Sequence, residues 1–171
     1  IDYLELQISE FGKKYPTLRK SFPYFCGLAE TAIQLLEIVD VKEYTINHKY
    51  ITKDERLEDF LNPINMVIDL KTRDIAEYLK TNYNHITSID DLKYIIKKFN
   101  LNKEEIKLLF VRTLFPNYYF NSFEEIIAGE KDESYINQYI DDASKKEYLL
   151  KIFYSFVKSI TDFPTIDYLE R

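Results

Sequence analysis

Hydrophobic residues recur along most of this chain at intervals of three and four, which is the spacing of an amphipathic helix. The clearest early stretch runs from Phe25 to Val39, and Ser21 and Pro23 before it are typical of an N-cap and a first helical turn. We therefore predict a core helix from about Phe22 to Asp40. A shorter helix from Asp2 to Phe11 is predicted before it.

The spacing changes between Tyr44 and Tyr50, where large residues alternate with polar ones. Alternation with a period of two is typical of a strand whose two faces differ. A second extended run follows from Ile64 to Leu70. Since two short strands joined by a loop commonly pair side by side, we predict a small antiparallel β-hairpin.

Helical spacing returns after Thr72. Two segments carry the signature of a capping box, in which an N-cap residue is followed three residues later by an acidic one. These pairs are Ser88 with Asp91 and Asn102 with Glu105. Each pair precedes an apolar stripe, so each marks the start of a predicted helix.

The last third of the sequence is also predicted to be helical. A short helix from Ser122 to Ala128 ends at Gly129, which suits a helix C-terminus, and a long helix is predicted from Ser134 to Ile160. The tail from Phe163 to Leu169 is expected to pack by its apolar residues. The fold class predicted from these patterns is mainly α with a short β-hairpin.

Composition and charge exclude several classes of function. The 171 residues are 46% apolar, which is enough for a real core, and carry a formal charge of −6 with no basic stripe. Binding to nucleic acid requires such a stripe, so no nucleic-acid partner is expected. No apolar run is long enough to span a bilayer, so no membrane partner is expected either. The single cysteine, Cys26, fits a reducing compartment such as the cytoplasm.

The polar residues of the predicted hairpin are the strongest candidates for chemistry. Asp69 follows an apolar run on the second strand and could hold a metal ion or a histidine, with His48 on the first strand as its partner. The competing interpretation is structural: His48 is a hydrogen-bonded histidine and Asp69 orders the loop that follows. We favour the structural interpretation because buried polar groups are normally satisfied.

Other candidates are weaker. Arg73 and Asp74 suit the first turn of a helix, where an acidic residue complements the helix dipole, and are assigned a structural role. Cys26 is interpreted as a small buried hydrophobic residue, and His85 gives no signal. The aromatic run Tyr118 to Phe120 could face a partner but is more typical of core. The sequence offers no conventional zinc ligand set and no glycine-rich phosphate loop.

The order of these elements resembles the C-terminal lobe of the aminoglycoside phosphotransferase branch of the protein-kinase-like fold. Within that branch it resembles the spore-coat kinase-like family typified by CotS and, more specifically, YutH. The segments that carry the resemblance are Phe22–Gln34, Val67–Asp69, Thr72–Tyr78, Arg112–Phe120 and Phe163–Leu169.

The resemblance implies a degenerate catalytic loop. Active members of the wider fold carry a histidine, a base aspartate two residues later, an asparagine five residues after that, and a metal-binding aspartate on a second strand. His48 would be the loop histidine and Asp69 a vestigial metal ligand, but Tyr50 stands at the base position and Glu55 at the asparagine position. Because two of the four expected residue types are replaced, we assign no catalytic and no cofactor-binding residue.

The resemblance also implies a role. Residues 1–171 would form one helical lobe of a longer chain whose nucleotide lobe precedes Ile1. This lobe would act without a cofactor as a pseudokinase in the spore coat of an endospore-forming bacterium, through protein partners such as coat components. ATP and magnesium would be cofactors only if the full-length parent protein is an active kinase.

Two alternatives remain open at the level of sequence. In the first, the chain belongs to an active small-molecule phosphotransferase in which Asp54 or Glu55 replaces the missing base. In the second, it is an unrelated helical interaction module. The second alternative predicts a helix from Tyr44 to Ile51 in place of the hairpin.

Overall fold

The computed structural model describes residues 1–49 and 57–170. This part of the chain is mainly helical and contains one two-stranded sheet. The strands are β1 (Tyr44–His48) and β2 (Met66–Leu70). The helices are α1 (Asp2–Phe11), α2 (Pro16–Leu36), α3 (Leu57–Phe60), α4 (Arg73–Thr81), α5 (Ile89–Lys98), α6 (Lys103–Leu114), α7 (Asn117–Ile127), α8 (Asn137–Asp141), α9 (Ala143–Ile160) and α10 (Asp167–Glu170). The predicted fold class, mainly α with a short hairpin, is confirmed.

Two compact units divide the chain. The first comprises Ile1–Gln34 and Leu114–Ser144, and the second comprises Leu35–Thr113 and Lys145–Arg171. The hairpin belongs to the second unit. No helix in the described ranges is both long enough and apolar enough to cross a membrane.

Helix α2 begins at Pro16, well before the predicted start at Phe22, and ends at Leu36. The predicted start is wrong because Pro23 lies inside the helix and does not mark its first turn. Proline is well tolerated at the first helical position, which Pro16 occupies. The missing hydrogen bond at Pro23 is outweighed by burial of side chains on both sides of it, including the fully buried Leu18.

An aromatic stack forms the core of the first unit. The rings of Phe25 and Tyr119 lie 3.9 Å apart at 18°. The Tyr119 hydroxyl lies 2.9 Å from Ser21 Oγ, and burial raises the pKa of Tyr119 to about 12. Phe120 is also buried. Tyr119 and Phe120 therefore belong to the core, as the favoured interpretation of this aromatic run predicts.

The end of α7 follows the predicted glycine rule. Gly129 adopts φ +80°, and its amide donates to the Ile126 carbonyl, while the next amide, of Glu130, donates to the Glu125 carbonyl. This left-handed glycine closes the helix because an L side chain would be strained there. The helix starts at Asn117, earlier than predicted, directly after Pro116.

The predicted long helix from Ser134 to Ile160 is divided into three pieces. A 3₁₀ turn at Glu133–Ile136 leads into α8, and α9 begins only at Ala143. Asp141 and Asp142 lie at the break between the two helices. Aspartate has low helix propensity and is unfavourable at a helix C-terminus, so the continuous prediction failed at this point.

The hairpin has the predicted antiparallel pairing. Ile46 faces Ile68 across the two strands, and both side chains are more than 70% exposed. Thr45 faces Asp69. Strand β2 is shorter than predicted because Pro63–Asn65 forms a 3₁₀ turn. The second alternative predicts a helix from Tyr44 to Ile51, and this prediction is wrong for Tyr44–His48, which form a strand.

Both predicted capping boxes are present in the second unit. The Asp91 amide donates to Ser88 Oγ at 3.2 Å while the Ser88 amide donates to Asp91 Oδ2 at 2.9 Å. The Glu105 amide donates to Asn102 Oδ1 at 2.9 Å, and the Asn102 amide donates to Glu105 Oε2 at 2.7 Å. Helices α5 and α6 therefore begin where the sequence predicts.

The C-terminal tail packs by its apolar residues, as predicted. Phe163, Ile166 and Leu169 are buried. The Phe163 ring lies edge-on to Phe110 of α6 at 5.5 Å. The Ile166 amide donates to the Tyr154 hydroxyl of α9 at 2.9 Å. The tail thus completes the core of the second unit.

Candidate functional site

Four of the residues singled out in the sequence meet at one side of the hairpin. His48 is the last residue of β1 and Asp69 lies in β2. Arg73 and Asp74 occupy the first turn of α4, which follows β2 after a short turn. The short connection brings the start of α4 against the end of β1.

His48 is fixed by Asp74. Its backbone amide donates to Asp74 Oδ1 at 2.8 Å, and its ring Nδ1 lies 2.7 Å from Asp74 Oδ2. The ring stacks on Phe60 with centroids 3.9 Å apart. Nε2 of the ring is buried and has no hydrogen-bond partner within residues 1–49 and 57–170. This arrangement holds His48 through its backbone and its side chain together.

Asp69 is held by two arginines. Its Oδ2 accepts from Arg73 Nη1 at 2.6 Å, and its Oδ1 accepts from Arg112 Nη2 at 2.6 Å. Oδ1 also accepts from the backbone amide of Leu70 at 2.6 Å. Each carboxylate oxygen therefore has a guanidinium partner, an arrangement we call the arginine clamp.

The charge of Asp69 is stabilised by the clamp. Burial acts to raise the pKa of this carboxyl, but the hydrogen bonds from Arg73 and Arg112 outweigh it and hold the pKa below its usual value. Asp69 is therefore an ionised partner of two cations at neutral pH.

Arg73 connects both strands of the hairpin. While Nη1 binds Asp69 on β2, Nε donates to the His48 carbonyl at 3.1 Å and Nη2 donates to the Lys49 carbonyl at 3.2 Å. A guanidinium has its five donors in a fixed plane, so one side chain can satisfy three acceptors at the end of a hairpin.

Lys80, two turns further along α4, adds a third cation near the clamp. Burial lowers its pKa to about 8, opposed by Glu77, and the charges of Arg112 and Arg73 lower it further. Its Nζ lies 3.4 Å from Glu77 Oε1. Arg73, Arg112 and Lys80 thus bring three cationic side chains to this region, alongside the carboxylates of Asp74 and Glu77.

The guanidinium contacts bear on the metal-binding role that the family resemblance assigns to Asp69. Magnesium is normally held by carboxylate and water oxygens, and both oxygens of Asp69 are already bound to guanidinium groups. In the ranges 1–49 and 57–170, one set of three acidic or thiol side chains comes close enough to share an ion: Glu5, Cys26 and Glu30. Asp69 does not belong to it.

The thiol in that set is not activated. Cys26 is buried, and burial together with the charges of Glu30 and Glu5 raises its pKa. A thiol with a raised pKa stays protonated and is a poor nucleophile and a poor metal ligand. Cys26 therefore fits its interpretation as a small buried hydrophobic residue.

Three residues named by the catalytic-loop comparison, Tyr50, Asp54 and Glu55, lie outside the described residues. His85 lies in a 3₁₀ turn after α4 and is exposed.

Sequence reasoning missed two polar residues of this site. Arg112 lies on α6. The helical pattern of the sequence indicates which face of α6 carries Arg112, but it does not indicate which strand that face contacts. Asn47 is buried, and its amide donates to the backbone carbonyls of Thr45 and Asp69 at 3.0 and 2.9 Å. A buried asparagine in an alternating strand was the available signal, since such a side chain needs partners.

Comparison with known proteins identifies the class to which this mainly helical chain with its polar hairpin belongs. Residues 11–153 match the family model described as "Spore coat putative kinase YutH". The chain therefore belongs to the YutH family of spore-coat proteins.

One curated relative is the endospore coat-associated protein YutH of Bacillus subtilis (strain 168). It is 27% identical over 150 residues, a match that covers 77% of this chain. The same match covers 42% of the relative's length, so the chain corresponds to less than half of that protein. No solved structure matches the chain.

Proposed function

We propose that this chain is a kinase-like lobe of a spore-coat-associated protein, and that it acts by binding or assembly without transferring a phosphoryl group. Membership of the YutH family and the printed name of the Bacillus subtilis relative support an association with the endospore coat. The partners in this proposal are other coat proteins.

The observation that carries the proposal is the arginine clamp on Asp69. Phosphoryl transfer depends on metal ions that neutralise the phosphate charge, and these ions are held by carboxylates. The resemblance to active kinase-like proteins assigns that role to Asp69. Because both of its oxygens are bound to Arg73 and Arg112, the carboxylate is committed to protein cations.

The identity of residue 50 supports the same conclusion from the sequence. A base in this loop must accept a proton from the substrate hydroxyl at neutral pH. The phenol of a tyrosine has an ordinary pKa of about 10, and a phenol with that pKa is protonated at neutral pH and cannot serve as the base.

The proposal is tested by ATP turnover in the full-length protein with magnesium present. We compare the wild type with Asp69→Asn and with Tyr50→Asp, using small hydroxyl compounds such as amino-sugars and choline as acceptors. The expected result is the same background rate in the wild type and in Asp69→Asn. Robust wild-type turnover that Asp69→Asn abolishes would overturn the proposal.

The same assay separates the active alternative from the proposal. If Asp54 or Glu55 replaces the base, the wild type turns over ATP, and Asp54→Asn or Glu55→Gln removes the activity. If neither substitution changes a background rate, the alternative loses its support.

Association with the coat is tested in sporulating cells with a fluorescent fusion of the full-length protein. The proposal expects the fusion to be deposited at the coat in the wild type and equally in Tyr50→Phe, which leaves no hydroxyl at the base position. A fusion that stays dispersed in the mother cell through sporulation would contradict a coat role.

A further inference from the structure

We infer that Arg112 is a positioning residue: with Arg73 it supplies fixed guanidinium charges to Asp69 in place of a divalent cation, and so fixes the hairpin against α4 and α6. This inference concerns the same site as the proposed function and rests on it for the view that Asp69 is not a catalytic metal ligand.

The geometry makes Arg112 the longest-range member of the clamp. It lies on α6, 43 residues beyond Asp69, and its Nη2 is 2.6 Å from Asp69 Oδ1. Arg73 follows Asp69 by only four residues. The contact between Arg73 and Asp69 can therefore form locally, together with the turn into α4. The contact between Arg112 and Asp69 exists only when α6 is packed beside the hairpin.

Burial determines whether such a pair matters. Exposed ion pairs contribute little, because water solvates both charges in the unfolded chain as well as in the folded one. The side chains of Arg112 and Asp69 are only 24% and 21% exposed, and Arg112 Nε is buried with no hydrogen-bond partner in the described part of the chain. Removing Asp69 therefore leaves the Arg112 charge partly desolvated without its carboxylate, and removing Arg112 leaves Asp69 with Arg73 as its one guanidinium partner among the described residues.

The surrounding charge disfavours a metal ion. Arg73 and Arg112 both lie close enough to Lys80 to lower its pKa through their charges. A divalent cation approaching Asp69 would meet the guanidinium groups of Arg73 and Arg112, while the Lys80 charge is paired with Glu77. Two guanidiniums therefore satisfy Asp69 and repel the ion that would compete with them.

The first test is a double-mutant cycle on the full chain with Asp69→Asn, Arg112→Met and the double variant, followed by urea unfolding. Each single variant is expected to shift the folding equilibrium toward the unfolded state by about tenfold, which corresponds to about 1.4 kcal/mol. The double variant is expected to shift the folding equilibrium by clearly less than the product of the two single-variant shifts. Independent, multiplicative effects would overturn the inference.

Arg112→Lys distinguishes geometry from charge. Lysine keeps the positive charge but lacks the planar pair of donors, so we expect it to recover part of the loss seen in Arg112→Met. The Asp69 carboxyl pKa, followed by carbon NMR, is expected to rise in Arg112→Met and to rise less in Arg112→Lys. An unchanged carboxyl pKa in both variants would show that Arg112 is merely part of the helix packing.

The second test uses Mn²⁺ alone as the probe, in calorimetric titrations of the wild type, Asp69→Asn and the exposed control Asp162→Asn. The inference expects the same weak binding in all three. A single Mn²⁺ bound by the wild type and lost only in Asp69→Asn would overturn it. That result would refute the clamp even without ATP turnover, whereas turnover in the absence of such a Mn²⁺ site would refute only the proposed function.

Discussion

Asp74 accepts two hydrogen bonds from His48, one from the backbone amide at 2.8 Å and one from ring Nδ1 at 2.7 Å. The two residues are 26 positions apart in sequence, on the end of β1 and the start of α4. A single carboxylate therefore fixes the backbone and the ring of the histidine at the end of β1.

Replacing Asp74 by alanine is expected to destabilise the chain by about 2 kcal/mol, because it leaves a partly buried amide and a ring nitrogen without an acceptor. The free energy of unfolding in urea measures this. Asp90→Ala is the matched control, since Asp90 is also a first-turn acid but is exposed. Equal losses in the two variants would show that Asp74 acts only on its helix dipole.

The stability of the chain should rise with pH above about 8. The buried Lys80 has a pKa of about 8 in the folded chain, lowered from 10.5. Between these two values the unfolded chain binds more protons than the folded chain, so raising the pH favours folding. Urea midpoints measured from pH 7.5 to 10 should show this slope in the wild type and a reduced slope in Lys80→Gln.

Lys93→Gln is the control for that measurement, because Lys93 is an exposed lysine on α5. Its profile should follow the wild type. A slope that is the same in all three proteins would assign the pH dependence to groups other than Lys80.

The capping box of α6 is expected to matter for the clamp as well as for the helix. Asn102→Ala removes the side-chain acceptor for the Glu105 amide and should cost about 1 kcal/mol of unfolding free energy. Asn102→Asp keeps an acceptor and should cost much less. Amide hydrogen exchange along α6 provides the measurement, and equal exchange in both variants would contradict the role of the cap.

Local signals explain what the sequence could predict. The capping boxes at Ser88 and Asn102 and the glycine at 129 each act within one turn of their own helix, so a short pattern is sufficient to locate them. The alternation from Tyr44 predicts a strand for the same reason. The predictions of these elements are correct because residues close together in the sequence determine each of them.

The clamp depends on contacts that no local pattern contains. The sequence places Asp69 on a strand and Arg73 at a helix start, and both positions are correct. The partnership of Asp69 with Arg112 depends on how α6 packs beside the hairpin. The inclusion of Pro23 in α2 likewise reflects tertiary packing that overrides local propensity, whereas the break at Asp141 and Asp142 follows from the low helix propensity of aspartate.

Acid should weaken the clamp. The pKa of Asp69 is held low by hydrogen bonds from two arginines that outweigh its burial. A carboxyl with a lowered pKa in the folded state contributes stability that is present above its unfolded value, near 4, and is lost as the pH falls through the folded value. Unfolding followed from pH 6 to pH 2 should lose less stability in Asp69→Asn than in the wild type.

Both proposals depend on Asp69 being bound by Arg73 and Arg112 in place of a metal ion. Carbon NMR of the Asp69 side-chain carboxyl, titrated with MgCl₂ at neutral pH and assigned with Asp69→Asn, tests it most directly. We expect the resonance to keep its position as magnesium is added, and its acid titration to give a pKa below that of an ordinary aspartate. A saturable magnesium-dependent shift of this one resonance would contradict it.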